Sequence, residues 1–461
     1  MSILYRSTTG TNTEQQRQQA TFSCWVKRSK LAANQNIMDW HENSGDYHFN
    51  IKFVSDNSLQ IEDRDNGVVR LNFITNKKFN DINSWYHIMI NLATNQATQS
   101  DRVKIYVNGV QETSFSTATY PSQDTALQIN KVVQICRIGG DSSGGNLFGG
   151  SMSALYWVAG STGSYAGTLP VSTFGETDTD TGEWRPKNSP SITAYGDNGF
   201  FMKFEDSSNI DLDSSTNNYT FTAIAPAITQ TKDCPNNVFA SWNLLSTVSY
   251  KQSAGGYLSF LNGNTRILEN GGTYKNAPST LGAFTGKYYF ETKMISPNGS
   301  LAESTYVGVI TAGDVQNIGD TYNHVGQTAN SVGYNSYNGQ VFTSDSGTSY
   351  GASLANGDIL GVALDITNLK VYFSKNGVWQ NSGDPTSGST GTGAVSLPST
   401  GDSWLFGGSP RNSAIESNFG NGFFGTTAVA DNSTTPASTP GTFNYDVPAG
   451  YQPLSTKGLN A

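Results

Sequence analysis

The chain contains 461 residues, carries a formal net charge of −9, and has only 14% charged residues. This length suffices for two or three domains with cores of their own, but the lack of any basic block argues against nucleic-acid binding. No uninterrupted apolar run reaches the ~20 residues that cross a bilayer, and residues 1–6 lack the charged-then-apolar layout of a secretory signal.

Glycine and aromatic residues indicate the fold class. Glycine accounts for 49 of the 461 residues, above the usual ~7%, and aromatic residues make up 11%. Many turns, packed aromatic cores and the lack of a long amphipathic helix predict an all-β protein rather than a disordered one. Cys24, Cys136 and Cys234 have no metal-ligand spacing, so we expect reduced and mostly buried thiols.

The first half of the chain reads as a polar arm followed by a series of strands. Residues 1–13 are polar and are predicted to form an N-terminal arm, either docked or mobile. From Thr21 onward, apolar and β-branched residues recur without helical spacing. The predicted strands are 22–27, 47–54, 59–62, 85–91, 102–110, 132–138, 153–158 and 199–204. They predict one β-sandwich over residues 14–205.

Three phrases in this series resemble a LamG-type domain, a laminin-G/pentraxin relative of the concanavalin A-like sandwiches. They are Phe-Ser-Cys-Trp-Val-Lys-Arg-Ser at 22–29, Ser-Trp-Tyr-His-Ile at 84–88, and Asp-Arg-Val-Lys-Ile-Tyr-Val-Asn-Gly-Val at 101–110. Cys24 departs from the pattern, because an aromatic residue is more usual there. The segment 174–187 is similar to one that follows this domain in bacteriophage structural proteins.

Residues 206–244 are predicted to be an ordered connector. Its first part, 206–218, is polar, and the phrase at 233–239 resembles one that follows LamG-like modules in phage proteins. Apolar side chains that allow the connector to dock are Tyr219, Phe221, Val238, Phe239 and Trp242.

The clearest signal in the second half is a pair of short apolar strands, 359–365 and 370–374. Asn376-Gly377 follows them, and this pair suits a tight hairpin because both residues readily adopt positive φ. A similar phrase, Lys-Ile-Tyr-Val-Asn-Gly-Val, occurs at 104–110. The repetition predicts two sandwiches of related design.

Five separated motifs around this strand pair resemble a SPRY domain across nearly its whole length. In chain order they lie at 287–294, 306–310, 331–334, 417–420 and 448–454. The resemblance implies a SPRY domain over 245–456, followed by a C-terminal tail at 457–461. The chain as a whole is therefore predicted to be all-β, with two concanavalin A-like antiparallel β-sandwiches joined by a connector.

Acidic residues in the first half raise the question of catalysis. Glu176, Asp178 and Asp180 alternate as do the carboxylates of concanavalin A-like glucanases, whose retaining members need carboxyls ~5 Å apart. The intervening threonines and flanking glycines instead predict a surface turn, and His87 is predicted to be a hydrogen-bonded core residue. No catalytic residue is assigned, because spacing assembles no Ser-His-Asp or Cys-His set, and the chain is predicted not to be an enzyme.

Two kinds of binding residue are proposed from the pattern. Asp211 and Asp213 are candidates for Ca²⁺, because LamG and pentraxin relatives often bind calcium and this ion prefers hard oxygen ligands. A solvated turn is the preferred alternative, so no cofactor is assigned. Tyr337, Tyr350 and Trp379 are the candidates for ligand binding, since they accompany polar loops where aromatic rings can stack on sugars.

These resemblances imply a non-enzymatic virion structural protein, a tail fibre or a head fibre, made in the host cytoplasm without a signal peptide. Its expected partners are host-surface polysaccharide and other virion proteins, with neither nucleic acid nor membrane. It is expected to be a homo-oligomer, with a trimer as one form, although no coiled-coil heptad is visible. The alternatives are a capsid decoration or assembly protein without a receptor role, and a polysaccharide hydrolase of the glucanase type.

Overall fold

The computed structural model describes residues 3–8, 13–42, 46–160, 168–187, 190–224, 228–246, 258–295, 305–315, 317, 323–430 and 440–460. The chain divides into two compact units, Met1–Gln230 and Thr231–Ala461. Their regular secondary structure is almost all β-strand, in mainly antiparallel sheets, which confirms the predicted fold class. Over these described ranges, no helix is both long and apolar enough to traverse a membrane.

The first unit is a sandwich of an eight-stranded and a six-stranded sheet. Its strands are β1 (Ile3–Ser7), β2 (Gln19–Arg28), β3 (Gln35–His41), β4 (His48–Phe53), β5 (Ser58–Asp65), β6 (Val68–Lys78), β7 (Trp85–Ala93), β8 (Val103–Val107), β9 (Val110–Glu112), β10 (Phe115–Thr119), β11 (Ile135–Ile138), β12 (Gly150–Ala159), β13 (Gly175–Thr177), β14 (Trp184–Pro186), β15 (Phe200–Met202) and β16 (Thr222–Ile224). Short 3-10 helices lie at Gln15–Arg17, Gln99–Asp101 and Val171–Thr173.

The two sheets enclose one apolar core. The eight-stranded sheet has the order β10-β6-β5-β4-β3-β11-β1-β16, the six-stranded sheet has the order β15-β12-β2-β7-β8-β9, and β13 and β14 form a separate hairpin. Alternate side chains of each strand point inward. Trp40 of β3 meets Trp157 of β12 across the core with ring centroids 5.5 Å apart.

The N-terminal segment is part of this sandwich rather than an arm. Residues 3–7 form β1, which lies between β11 and β16 in the eight-stranded sheet. Arg6 fixes the strand, because its Nη2 donates to the carbonyl of Asn198 at 2.7 Å and its guanidinium lies 4.0 Å from the ring of Tyr219. The boundary at residue 13 is therefore corrected: β1 needs partners far along the chain, which a local composition cannot reveal.

The second unit is a sandwich of a nine-stranded and a six-stranded sheet. Its elements are β17 (Ser259–Leu261), β18 (Arg266–Glu269), β19 (Ala277–Pro278), β20 (Lys287–Ile295), β21 (Tyr306–Thr311), β22 (Ser331–Asn335), β23 (Gln340–Thr343), β24 (Ser346–Ser349), β25 (Ile359–Asp365), β26 (Lys370–Lys375), β27 (Val378–Trp379), β28 (Val395–Ser396), β29 (Trp404–Ser409), β30 (Ser413–Asn418), β31 (Phe423–Phe424), β32 (Thr427–Ala428), β33 (Gln452–Pro453), a 3-10 helix (Gly388–Thr390) and α1 (Thr456–Leu459).

The core of the second unit again lies between its sheets. The nine-stranded sheet runs β17-β18-β30-β20-β25-β26-β27, with β28 paired to β26 and β33 paired to β20. The six-stranded sheet runs β19-β29-β21-β22-β23-β24. Phe290 of β20 meets Phe406 of β29 with ring centroids 4.2 Å apart. The apolar strand pair recognised in the sequence is β25 and β26, which lie between β20 and β27 in the larger sheet.

The predicted connector is divided between the two units. Residues 206–230 belong to the first unit, where β16 completes the eight-stranded sheet. In the second unit, Trp242 is fully buried and its Nε1 donates to Ser417 Oγ at 3.2 Å, while Phe239 forms a bridge with Ser455. The predicted boundaries at 206 and 245 are thus corrected, because these aromatic side chains are core residues rather than docked linker.

The predicted tail at 457–461 also differs from the structure. Residues 456–459 form α1, and Ser455 caps this helix by accepting a hydrogen bond at Oγ from Gly458 N. Leu459 packs against the core of the second unit. These described residues of the tail are therefore part of the sandwich.

The two Asn-Gly hairpins share one hydrogen-bond pattern. Asn108 N donates to His87 O at 2.9 Å, and His87 N donates to Asn108 Oδ1 at 2.8 Å. Asn376 N donates to Ile359 O at 2.8 Å, and Ile359 N donates to Asn376 Oδ1 at 2.8 Å. Each asparagine side chain thus replaces a backbone carbonyl and ties its turn to the neighbouring strand.

The glycines of both hairpins are covered by aromatic rings. Gly109 and Gly377 have φ near 80°, a conformation that favours glycine. A Cβ at Gly109 would lie 2.5 Å from the ring of Trp184, and a Cβ at Gly377 would lie 2.7 Å from the ring of Tyr445. Both the backbone conformation and the close ring therefore require glycine at these positions.

The cysteines agree with the sequence prediction. Cys24 and Cys136 are buried free thiols, and Cys234 is a partly buried free thiol. Burial raises the pKa of all three thiols, so they are protonated and unreactive at neutral pH.

Candidate functional site

Three loops of the second unit form a continuous region that we call the loop surface, comprising residues 336–339, 350–354 and 376–393. Two backbone hydrogen bonds hold the middle loop to the first loop. Gly351 N donates to Gly339 O at 2.9 Å, and Leu354 N donates to Ser336 O at 2.7 Å. The turn that carries Tyr337 is therefore fixed by main-chain contacts.

The middle loop is also held to the third loop. Ala352 N donates to Gln380 Oε1 at 3.0 Å, and Tyr350 Oη donates to Gly393 O at 2.9 Å. The loops that carry Tyr337 and Trp379 are thus brought together through the loop that begins at Tyr350, the third candidate residue. This connection depends on contacts between residues far apart in the chain, and sequence spacing alone did not reveal it.

Tyr337 is the exposed aromatic residue of the loop surface. Its side chain is 60% exposed, and its backbone N donates to Asn335 Oδ1 at 2.8 Å. The adjacent Asn338 is exposed and donates through Nδ2 to Gln340 Oε1 at 2.8 Å. An exposed ring on a fixed turn can stack against the apolar face of a sugar, and its role in binding stays a prediction.

Tyr350 does not have the exposure that ligand stacking requires. It is 7% exposed, and its ring packs edge-on against Tyr334 and Phe373 in the core. Its Oη is engaged by the Gly393 carbonyl, and burial raises the pKa of this phenol. The prediction that Tyr350 binds ligand is therefore corrected: its ring packs in the core beneath the loop surface and supports the loops.

Trp379 is partly buried rather than displayed. Its ring lies edge-on to Tyr289 with centroids 6.3 Å apart, as part of an apolar cluster outside the nine-stranded sheet. The preceding Val378 is 67% exposed instead, because successive strand residues point to opposite faces. Trp379 therefore anchors the third loop, and a stacking role for its ring is not favoured.

Amide and hydroxyl groups dominate the rest of the loop surface. Gln380 and Asn381 were not singled out from the sequence, although the polar, turn-forming run after Trp379 could have indicated them. Asn381 is exposed and adopts φ 53°. Other exposed polar residues here are Asn338, Ser382, Asp384 and Thr386. With one carboxylate among these side chains, the chemistry suits a neutral, hydroxylated ligand.

A buried carboxylate anchors the segment that covers the Asn376-Gly377 turn. Glu291 on β20 accepts hydrogen bonds from Asn444 N and Tyr445 N, both at 2.8 Å, and from Tyr289 Oη at 3.1 Å. Burial raises the pKa of this carboxyl to about 7 in spite of these donors. Glu291 thereby positions Tyr445, whose ring lies against Gly377 at the base of the loop surface.

The proposed calcium ligands do not form a cation site. Asp213 is 1% exposed and accepts hydrogen bonds from the backbone N of Phe201, Ser215 and Tyr219, each at 2.9 Å. Across the ranges the structure describes, no three His, Cys, Asp or Glu side chains converge on a possible metal position. The Asp213 carboxylate therefore fixes the backbone around it and is not available to a cation, which removes the main ligand from the proposed calcium site at Asp211 and Asp213.

The alternating carboxylates form a surface turn, as predicted. Asp178 accepts hydrogen bonds from Asp180 N and Thr181 N at 2.9 Å, which makes it the first residue of the turn between β13 and β14. Arg185 pairs with both Asp178 and Glu176. These acids are thus engaged with the turn and with an arginine.

A buried serine–histidine contact exists in the first unit. Trp184 Nε1 lies 3.0 Å from His87 Nδ1, and His87 Nε2 lies 2.8 Å from Ser23 Oγ. Because the indole N–H can only donate, Nδ1 accepts and Nε2 carries the ring proton toward Ser23. A general base needs the reverse arrangement. His87 is fully buried and hydrogen-bonded, as predicted, and this burial lowers its pKa to about 3, which favours the neutral ring.

Two family models match parts of the chain. Residues 6–159 match the concanavalin A-like lectin/glucanases superfamily, and residues 287–395 match the SPRY domain. The chain thus contains an N-terminal LamG-like concanavalin A-like domain and a SPRY domain, both of which are compatible with a binding role. No curated protein matches the chain significantly.

Solved structures of low similarity were also found. A human SPRY domain is 16% identical, with coverage of 36% of this chain and 96% of that chain and a TM-score of 0.26. The SPRY domain of human HERC1 is 16% identical, with coverage of 33% and 86% and a TM-score of 0.26. The stonustoxin structure is 16% identical, with coverage of 39% and 27% and a TM-score of 0.27.

Proposed function

We propose that the chain is a non-enzymatic structural protein of a bacteriophage virion, in a tail or head fibre, that binds a glycan on the host surface. Binding takes place at the loop surface of the second unit. Rigid sandwiches fix the loops, and the loops supply the ligand contacts. The expected partners are host polysaccharide and neighbouring virion proteins, and the expected assembly is a homo-oligomer.

The observation that carries this proposal is the placement of Tyr337. Its exposed ring stands on a turn that is fixed to a second loop by backbone hydrogen bonds. The adjacent Asn338 is exposed, and further exposed amide and hydroxyl groups lie on the third loop of the same surface. Sugars bind proteins through an apolar ring face and several hydroxyl groups, each of which both donates and accepts. The loop surface offers both kinds of contact with little net charge.

The virion role is supported by the sequence alone. The segment 174–187 and the phrase at 233–239 resemble segments of phage structural proteins. Single-site affinity for a neutral sugar is expected to be weak, on the order of millimolar. Display of several copies on one particle would raise the avidity by a large factor.

The test is the affinity of the purified full chain for surface polysaccharide from the bacterial host. Tyr337→Ala should weaken binding roughly tenfold, equivalent to about 1.4 kcal/mol, and leave the melting temperature unchanged because the ring is exposed. Phe284→Ala is the matched control, since Phe284 is 72% exposed on the same unit and lies outside the loop surface.

Equal losses in both variants, or none in Tyr337→Ala, would contradict the assignment of the loop surface. Labelling of intact particles with an antibody to the chain, viewed by electron microscopy, would test the virion role separately. Label on the capsid shell alone would favour the decoration protein without a receptor role.

A further inference from the structure

The dipeptide Asn-Gly occurs ten times in the sequence. An asparagine in this context can cyclise, because the backbone nitrogen of a following glycine reaches the side-chain carbonyl carbon with no Cβ in the way. The ring that forms is a succinimide, which water opens to aspartate or isoaspartate. Nine of the pairs lie in the described part of the chain, and their surroundings decide which of them can react.

Most of these asparagines are held in a way that opposes cyclisation, which requires the side-chain amide to turn toward the next nitrogen. Six of the nine engage this amide in a hydrogen bond, namely Asn66, Asn108, Asn198, Asn338, Asn376 and Asn421. Asn356 has an interaction of its own. Asn262 and Asn270 are exposed, and no hydrogen bond to a described residue holds either side chain.

Asn270 differs from Asn262 in what the next backbone nitrogen contacts. Asn270 follows β18, and Gly271 N donates to Glu269 Oε1 at 2.6 Å. The Glu269 side chain is fully buried, and its other oxygen accepts from Asn412 N at 2.9 Å. A carboxylate is therefore fixed against the nitrogen that must attack, at a distance that suits proton transfer. Within the described residues, the nitrogen that follows Asn262 has no such contact.

We propose that Asn270 is a site of self-catalysed deamidation, with Glu269 as the general base. Gly271 N bonds to Asn270 Cγ while Glu269 Oε1 accepts the proton of that nitrogen. The protonated Glu269 carboxyl then gives this proton to the side-chain nitrogen, the Cγ–Nδ2 bond breaks, and ammonia leaves. Water adds to either carbonyl of the succinimide and yields aspartate or isoaspartate. Water is the only co-reactant, and no group is oxidised or reduced.

The product alters the second unit at a defined place. Both products put a carboxylate next to Glu269, and isoaspartate also adds one methylene group to the main chain. The turn that follows is tied to the sheet by Arg411, whose Nε donates to Gly272 O at 2.9 Å. A longer main chain displaces both backbone contacts, so the modified second unit is expected to be less stable. The site uses none of the loop surface and does not depend on the proposed function.

The experiment incubates the full chain at neutral pH and follows its tryptic peptides by mass spectrometry. Cleavage after lysine and arginine places Asn270 in peptide 267–275 and Asn262 in peptide 252–266, so the matched control is measured in the same sample. Asn270 should deamidate roughly tenfold faster than Asn262, a modest part of the ~10²–10⁴ that a positioned base contributes. Hydroxylamine should trap the succinimide in peptide 267–275, and fragmentation should show isoaspartate.

Two comparisons separate the base from the local sequence. Glu269→Gln keeps an oxygen that can accept from Gly271 N but removes the base, so it should slow deamidation at Asn270 roughly tenfold and leave Asn262 unchanged. In concentrated urea the parent loses the fixed contact, and Asn270 and Asn262 should react at similar rates. The comparison in urea serves if Glu269→Gln does not fold.

The proposal is overturned if Asn270 reacts no faster than Asn262 in the folded chain. It is also overturned if Glu269→Gln, correctly folded, reacts at Asn270 as fast as the parent or faster, because the carboxylate then only fixes the turn. A rate difference that persists in urea would assign the reactivity to the local sequence instead. Aspartate as the sole product, with no succinimide trapped, would indicate direct hydrolysis and exclude attack by Gly271 N.

Discussion

Glu291 offers a sharp test of the balance between burial and hydrogen bonding in the second unit. Its carboxyl is fully buried, and burial raises its pKa from 4.5 to about 7, whereas the surrounding donors favour the ionised form. Burial is the larger effect. The neutral carboxyl is therefore favoured in the folded protein over a pH range in which the unfolded chain ionises.

The magnitude follows from this pKa. Because the pKa of Glu291 is higher in the folded protein than in the unfolded chain, its stabilising contribution is fully present below pH 4.5 and is lost as the pH rises through 7. A difference of about 2.5 pKa units corresponds to roughly 3 kcal/mol at about 1.36 kcal/mol per unit. We expect the parent to lose that amount, relative to Glu291→Gln, between pH 4 and pH 8.

The assay is urea unfolding of the full chain at several pH values, with parent and Glu291→Gln compared at each. The transition of the second unit is the one that the substitution shifts. Asp358→Asn is the matched control of opposite sign. Burial alone would raise the pKa of Asp358, but hydrogen bonds from Ala355, Asn376 and Lys375 lower it overall. The stability of the parent relative to Asp358→Asn should therefore grow as the pH rises. If the parent instead becomes more stable relative to Glu291→Gln as the pH rises, the hydrogen-bond donors outweigh burial and the reasoning is refuted.

Three further predictions concern the first unit. Trp184→Phe should lower the free energy of unfolding, measured by heat or urea, by about 1–3 kcal/mol, because it leaves His87 Nδ1 buried without its hydrogen-bond donor. Trp379→Phe, which changes another partly buried indole ring, is the control. Relative to a His87→Gln variant, the parent should lose about 1.4 kcal/mol of unfolding free energy per pH unit as the pH falls from 6.5 toward 3, because burial lowers the pKa of His87 in the folded protein to about 3. A difference between parent and variant that does not change with pH would contradict this. Asp213→Asn should lower the free energy of unfolding by about 1–3 kcal/mol, and neither Ca²⁺ nor EDTA should change the melting temperature of the parent. A rise of the melting temperature with Ca²⁺ would restore the metal hypothesis.

The features that sequence predicted well depend on local chemistry. The Asn376-Gly377 turn was identifiable because few residue pairs adopt positive φ at both positions, and its similarity to Asn108-Gly109 extends to the same hydrogen bonds. The strands on either side followed from their unbroken apolar runs. What could not be seen was which ring covers each glycine, because Trp184 and Tyr445 come from segments about 70 residues further on.

The features that sequence missed depend on distant contacts. Residues 3–7 form an interior strand rather than an edge strand, because β16 pairs with them from more than 200 residues away. Tyr337 and Tyr350 both have polar neighbours, and only the register of β23 and β24 decides that Tyr350 turns toward the core. Asp213 sits in a run typical of a solvated turn, yet three backbone amides make it a buried acceptor.

In both units a segment near the beginning of the unit pairs antiparallel with a segment near its end, which determines how each would respond to a pulling force. Ile3 pairs with Ile224 and Tyr5 with Thr222, and in the second unit Thr456 N bonds to Val238 O as Ala240 N bonds to Leu454 O. Tension applied through the two ends of either unit therefore opens these bonds one after another, like a zipper, and does not load them together in shear. We therefore expect each unit, when it is stretched through its own ends, to open first at this terminal pair of segments and at a comparatively low force.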